Sequence, residues 1–385
     1  MDTLPLETLQ EILNRIQLED QPISRLTCRL FSQMIPRTPE HVYYLGLTAD
    51  DPTLVASAIS RKPKLADDIC RRAASRGCLE VLKWARSEEY SWDTNICSDA
   101  ASNGHLHILE WARANGCPWN EWICDDAVDG GHLHVLQWAR ANKCPWDEQT
   151  FASAAKNGYL EIFQWAHQNG CPWDEWICAY AAENGHLEII QYAHQNGCPW
   201  NSWTCIYAAM NNHMHVLQYA HKNGCPWNKQ VCALAAAKGH MRVLQYAHEN
   251  GCPWNKRVCS LAAINGHIEI LKWAHQNGCP WDEETCAHIA ENGHLEVLQW
   301  AHQNGCPWDQ SACTNAAENG HFEVLKWLRA NGCPWDKWTC TRAARNGHLK
   351  ILQWARANDC PWDSYVCLRS SKNYPRIYSW IRRNM

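Results

Sequence analysis

The tripeptide Cys-Pro-Trp returns at Cys117, Cys144, Cys171, Cys198, Cys225, Cys252, Cys279, Cys306, Cys333 and Cys360, always 27 residues apart. A blurred copy, Tyr90-Ser91-Trp92, stands one step earlier. A fixed period of roughly 20–50 residues marks a stacked array, in which no single copy buries its own apolar face. This overrides any division of the 385 residues by an average domain size. The stretch Gly293–Ala312, GHLEVLQWAHQNGCPWDQSA, shows the unit in its plainest form.

Each copy carries its own punctuation. Asp or Asn follows the loop tryptophan in all 11 copies: Asp93, Asn120, Asp147, Asp174, Asn201, Asn228, Asn255, Asp282, Asp309, Asp336 and Asp363. These side chains can accept from the unpaired N–H groups of a first helical turn. A short helix is therefore expected over Thr285 to about Glu291, ended by Asn292-Gly293 with the glycine left-handed. A second follows from His294 to about Gln303, with Leu295, Val297, Leu298, Trp300 and Ala301 as its buried stripe. Asn304-Gly305 closes it, and Pro307 forbids continuation. The expected fold is all-α, with no room for strands.

An apolar content of 46% allows a core, while a net charge of −5 argues against a nucleic-acid binder. No run of about 18 apolar residues could span a membrane, and residues 1–30 show no signal peptide. The 23 cysteines reflect two positions repeated about 11 times. In a long chain without an export signal they read as reduced, buried thiols. These features point to the cytoplasm, with the nucleus also open, and to a monomer.

The repeat resembles the ankyrin repeat, whose pattern Thr-Pro-Leu-His-x-Ala-Ala-x-x-Gly-His is echoed by Thr285-Cys286-Ala287-His288-Ile289-Ala290-Glu291-Asn292-Gly293-His294. The resemblance implies an ankyrin-like helical solenoid of 27-residue helix-turn-helix repeats. It departs from the family in lacking six residues of the usual 33, in losing the Pro after Thr, and in placing His or Arg where the second helix usually has Leu. The array covers residues 70–366. Residues 367–385, where Tyr374-Pro375 replaces Gly-His, read as a C-terminal capping helix.

Ahead of the array, Leu9, Ile12, Leu13 and Ile16 form a helical stripe, and a second runs from Ile23 to Ile35 until Pro36 and Pro39 stop it. Leu4-Pro5-Leu6-Glu7, Ile12-Leu13 and Cys28-Arg29-Leu30-Phe31 resemble the F-box, so residues 1–40 read as an F-box-like segment. That resemblance implies that Leu4, Pro5, Leu9, Ile12 and Leu13 contact a Skp-type adaptor of a cullin ubiquitin ligase. A plain helical cap is the alternative. Residues 41–69 read as linker and N-terminal cap. Long Cys-Pro-Trp arrays behind an F-box look like proteins of giant DNA viruses of amoebae, which would place the chain in a host cytoplasm.

No motif for an enzyme is present: neither G-x-x-x-x-G-K, G-x-S-x-G nor H-E-x-x-H occurs. The cysteines lack the Cys-x2-Cys spacing common in zinc sites, so neither a metal nor another cofactor is expected. The ladder Arg86, Arg113, Arg140, His167, His194, His221, His248, His275, His302, Arg329 and Arg356 reads as a solvent-facing or inter-repeat stripe, since catalysis needs one poised constellation. The loop tryptophans read as buried plugs between copies, so Trp254→Ala should cost ~3–5 kcal/mol.

Positions that differ between copies are not needed for the fold and are free for recognition. Two places in the first helix vary most. One, two residues after its cysteine, holds Asp126, Tyr180, Tyr207, Leu234, Leu261, His288, Asn315 and Arg342. The other, just after the cap, holds Trp122, Trp176, Trp203 and Trp338. Drift on a solvated face would produce the same variety. The ankyrin resemblance places this helix on the partner-binding side, which implies a protein–protein interaction scaffold. With the F-box it implies a substrate-recruiting subunit of a ubiquitin ligase; without it, a scaffold that sequesters a partner.

Overall fold

The computed structural model describes residues 38–120 and 122–385. The F-box-like segment, with Leu4, Pro5, Leu9, Ile12 and Leu13, lies outside the described residues. Among those described, the regular elements are 26 α-helices and one short 3-10 turn, with no strand. The fold is all-α, built from repeated helical pairs.

The pair nearest the described N-terminus is Pro39–Thr48 and Pro52–Arg61. Pro39, expected to stop a helix, starts one. At the first turn its missing N–H costs nothing, and the Thr38 hydroxyl accepts from the His41 N–H. Asp51 caps the second member by accepting from the Thr53 N–H. Tyr43, Leu47, Val55 and Ala58 are buried between them.

The repeat follows its punctuation closely. In one copy the helices are Glu283–Glu291 and Leu295–Gln303. The His294 N–H bonds the Ile289 carbonyl at 3.2 Å and the Gly293 N–H bonds that of Ala290 at 3.3 Å. This double closure satisfies carbonyls that would otherwise be orphaned, and it requires the left-handed residue that Gly293 supplies at φ +76. The second helix ends identically, Cys306 to Ala301 and Gly305 to His302. Ten of the eleven Asp or Asn residues accept from a main-chain N–H two or three residues on, and Asp282 forms a capping box with Thr285, whose hydroxyl accepts from the Asp282 N–H at 3.4 Å.

The core is narrow because the first helix lines it with Ala and Cys. Cys286, Ile289 and Ala290 pack against Val297, Leu298 and Ala301, all buried. Leu295 and Trp300, expected in the buried stripe, are half-buried.

The chain divides into two compact units at Ile177/Cys178. Within each, helical pairs are joined to the next by side chains standing at a fixed offset. In the second unit the Cys252 thiol donates to the Asn228 carbonyl at 3.4 Å, Cys279 to Asn255 at 3.4 Å and Cys333 to Asp309 at 3.3 Å. A small, largely apolar residue with a weak donor fits this place; alanine would lack the donor and serine the apolar character.

Candidate protein-binding face

The Trp and His/Arg ladders form one structure. Each His or Arg stacks on the tryptophan six residues later. Imidazole and indole centroids are 4.1 Å apart for His194–Trp200 and 3.8 Å for His302–Trp308. The Arg140 and Arg329 guanidinium carbons lie 4.1 and 4.2 Å from the centres of Trp146 and Trp335. Arg113 also donates to the Cys117 carbonyl at 3.3 Å. The other face of this arrangement meets the next copy: Trp254 stands edge-on to Trp273 at 5.8 Å, and Trp281 to Trp300 at the same distance.

The expectation of buried plugs is corrected here. All eleven loop tryptophans are half-buried, because the loop runs along the margin of the stack rather than through its centre. The His/Arg ladder is the inter-repeat alternative, made by ring contact rather than hydrogen bonds: its planar groups cover the indoles, and His248, His275 and His302 also meet the next copy's Trp273, Trp300 and Trp327.

Two further ladders meet across a copy. The first-helix cysteine lies within hydrogen-bond reach of the loop cysteine 20 residues on, as in Cys178–Cys198 and Cys313–Cys333. The bond with the partner thiol, followed by burial, pushes Cys178, Cys205, Cys232, Cys313 and Cys340 upward. Burial pushes Cys70 up to about 11 and Cys171 up to about 12. Every described cysteine is buried, and none stands in a disulfide. Among the described residues no group of three or more His, Cys, Asp or Glu is placed to hold a metal ion, and no helix is long and apolar enough to cross a membrane.

The positions expected from the sequence to be free for recognition form the variable row of the first helices. Neighbouring positions on these helices are buried Ala, Cys and Ile or Thr, so the row stands out as a line of half-exposed, chemically diverse side chains. In the first unit it holds Asp99 and Asp126, flanked by Trp122, which is 54% exposed, and by half-buried Trp176. Asp99 pairs with Arg71 at 2.6 Å. Burial, with repulsion from Asp125, Asp129 and Asp99, holds the Asp126 carboxyl above the ordinary range against the pull of Ser98. Its Oδ2 has no hydrogen-bond partner in the protein.

In the second unit the row runs through Tyr180, Tyr207, Leu234, Leu261, His288, Asn315 and Arg342, all half-buried. Trp203 and Tyr207 bring their rings within 5.3 Å. Burial, then the charge of Glu183, raises the Tyr207 phenol. Arg342 pairs with Glu318 at 2.8 Å, and Trp338 is 45% exposed. Sequence reasoning missed Tyr365, 76% exposed and one period after Trp338; the 27-residue register could have found it.

The family model for ankyrin repeats (many copies) matches residues 178–221, 231–275, 285–329 and 313–356. No curated protein matches the chain. Among solved structures, the crystal structure of human ASB11 ankyrin repeat domain is similar at 14% identity, over 40% of this chain and 83% of that one, with a TM-score of 0.35. The segments that this family model matches, 178–221, 231–275 and 285–356, carry ankyrin repeats, which serve as a scaffold for protein–protein interaction.

Proposed function

We propose that the chain is a substrate-recruiting subunit of a cullin-type ubiquitin ligase. The variable row of first helices grips a target protein, and the F-box-like segment of residues 1–40 engages a Skp-type adaptor through Leu4, Pro5, Leu9, Ile12 and Leu13. The subunit performs no chemistry; it raises the effective concentration of target beside the ligase. The 41–69 segment and residues 367–385, which hold the end of the helix Ser364–Ser370 and the whole of Pro375–Asn384 rather than a single helix, cap the 70–366 array on this reading. The resemblance to giant-virus arrays makes the target a host protein in the host cytoplasm.

The observation that carries the recognition half is the contrast along each first helix. Buried positions repeat Ala and Cys, while the half-exposed position beside them passes through acidic, aromatic, aliphatic and basic side chains. Aromatic and Arg anchors on such a line are the usual carriers of interface energy. The adaptor half rests on the motif residues alone. Its test is capture of a purified Skp-type adaptor by the full chain, with Leu9→Asp plus Ile12→Asp as control. Capture abolished in the variant supports the ligase reading. No capture by the unaltered chain leaves a scaffold that sequesters its partner.

A further inference from the structure

Two consecutive first helices of the second unit, Lys337–Arg345 and Ser364–Ser370, carry the same chemical pattern one period apart. On the first, Trp338, Arg342 and Arg345 stand at i, i+4 and i+7, which is one helix face. On the second and just past its end, Tyr365, Arg369 and Lys372 repeat that spacing. Trp338 is 45% and Tyr365 76% exposed, and Arg345, Arg369 and Lys372 are exposed as well. The three equivalent places on the preceding helix, Gln310–Glu318, hold Ser311, Asn315 and Glu318, so the pattern begins abruptly at Trp338.

Charge makes the same division. Lys337–Met385 holds ten Lys or Arg against two acids, Asp359 and Asp363, in a chain whose total is −5. Arg342 is partly spent on Glu318. Among the described residues no carboxylate lies in ion-pair range of Arg345, Arg369 or Lys372. Exposed large aromatics set beside cations that no carboxylate neutralises have the chemistry of interface anchors with charge complementary to an acidic partner.

We infer that this surface, the last two first helices of the array, binds an acidic segment of the target protein. Apolar residues of that segment rest on Trp338 and Tyr365, and its carboxylates meet Arg345, Arg369 and Lys372. The inference rests on reading the variable row as a recognition face, and it names the chemistry of the partner at this part of the row. A single-stranded nucleic acid would also stack on indole and phenol rings. It is disfavoured by Asp336 and Asp363, which cap these helices two residues before the rings. A strand with bases on Trp338 and Tyr365 would carry its phosphates past both carboxylates, whereas a polypeptide can set neutral residues there. The few cations also fall short of the several phosphate contacts that sustain nucleic-acid affinity.

The test is selection of peptides of roughly 12 residues from a random display library on the full chain, with the selected peptides synthesised and measured by fluorescence anisotropy. The expected result is a set rich in Asp and Glu with interspersed Leu, Phe or Trp. Their binding should weaken about tenfold or more on Arg369→Glu plus Lys372→Glu, and again on Trp338→Ala plus Tyr365→Ala, and should fall with added salt. Arg376→Glu, outside the two triads, controls for overall charge and should leave binding within about twofold. Circular dichroism of each variant checks folding. Peptides without acidic residues, or acidic peptides indifferent to the reversals, overturn the inference. Competition by oligothymidylate at equal affinity overturns it in favour of nucleic acid. Peptides displaced only by Tyr207→Ala or Leu234→Asp overturn it while leaving the recognition face standing. No selected peptide at all counts against both.

Discussion

The imidazole of His213 reaches back to Glu183, its Nε2 3.1 Å from that residue's main-chain carbonyl, while its ring lies against Gly185. A carbonyl only accepts, so Nε2 carries the proton. His240 repeats the bond to Met210 at 3.0 Å, and His348 to Glu318 at 3.0 Å. In the first unit His132 does the same to Ser102 at 3.2 Å. The Gly-His pair is thus more than the start of a second helix. The histidine ties its copy to the one before, and the glycine leaves room for the histidine of the copy after.

Two glycines of one copy should therefore differ. Gly293 and Gly305 are both left-handed, at φ +76 and +82. A Cβ at Gly293 would come within 2.6 Å of His321 Nδ1, whereas nothing lies within 4 Å of one at Gly305. Gly305→Ala should cost about 1–2 kcal/mol for the left-handed backbone. Gly293→Ala should cost clearly more, because the ring must also move. Denaturation midpoints of the two variants measure this, and equal losses would show that the histidine does not depend on the glycine.

Much of this architecture was legible because it is local and repeated. Asp309 before a helix, Gly320 after it and Ala316-Ala317 inside it each have one cheap local structure, and every copy restates it. What the period could not show is how different positions within a copy meet. That His302 stacks on Trp308 depends on how the Gly305 turn folds back, and pattern alone is silent on it. Trp308 was misjudged for a related reason. Its size argued for burial, but its loop lies at the margin, so His302 and Trp327 enclose it from the sides only. At the candidate face the residue types were readable, but their exposure was not. Trp122 and Trp338 stand out, while Trp176 and Trp203 at the same repeat position are half-buried.

The histidine ties make stability depend on pH. Burial holds His213 below the ordinary imidazole value of 6.5, opposed by its bond to Glu183 and reinforced by the neighbouring imidazoles His215, His186 and His240. His105 is lowered in the same way. As pH falls through about 6.5 the unfolded chain takes up protons that the native chain refuses. Stability should be full above that pH and decline below it, until the native imidazoles also titrate. The melting temperature should fall by a few degrees between about pH 7.5 and about pH 5.5, and His213→Asn should flatten part of the slope. A melting temperature that rises over this interval would contradict the account.

The thiols should be chemically silent. Burial pushes Cys171 up to about 12 and Cys70 to about 11, so those two hold almost no thiolate at neutral pH, and at every described cysteine burial keeps reagent from the sulfur. Iodoacetamide at about pH 8 should leave Cys70–Cys367 unlabelled in the native protein and label all of them after denaturation. Peptide mapping by mass spectrometry reads the result. Rapid native labelling of Cys70 or Cys171 would mean that the repeats open far more readily than their packing implies.

Asp126 should be a residue that costs stability. Its Oδ2 lacks a protein partner, and Asp99, Asp125 and Asp129 surround it with like charge. Asp126→Asn should raise stability at neutral pH by about 1 kcal/mol, since it removes the repulsion and a poorly satisfied charge. If the row is a recognition face, the same change should weaken target binding, the exchange of stability for function expected where a charge is kept for a partner. Chemical denaturation tests the first half, and a loss of stability would show that the carboxylate is better satisfied than its surroundings suggest.

Trp254 tests how copies are held together. Its indole stacks on His248 at 3.9 Å and meets Trp273 edge-on at 5.8 Å, yet it is only half-buried. Half of the ~150–250 Å² that an indole can cover, at ~25 cal/mol/Å², gives about 2–3 kcal/mol. Trp254→Ala should therefore cost about 2 kcal/mol, less than a fully buried plug would. His248→Ala should cost less, since the indole keeps its edge contact with Trp273. In the double variant the two losses should overlap by about 0.5–1.5 kcal/mol, the worth of the stack itself. Losses that simply add would mean that imidazole and indole pack independently. The ladder would then be a coincidence of register, and not the joint that passes stability from one copy to the next.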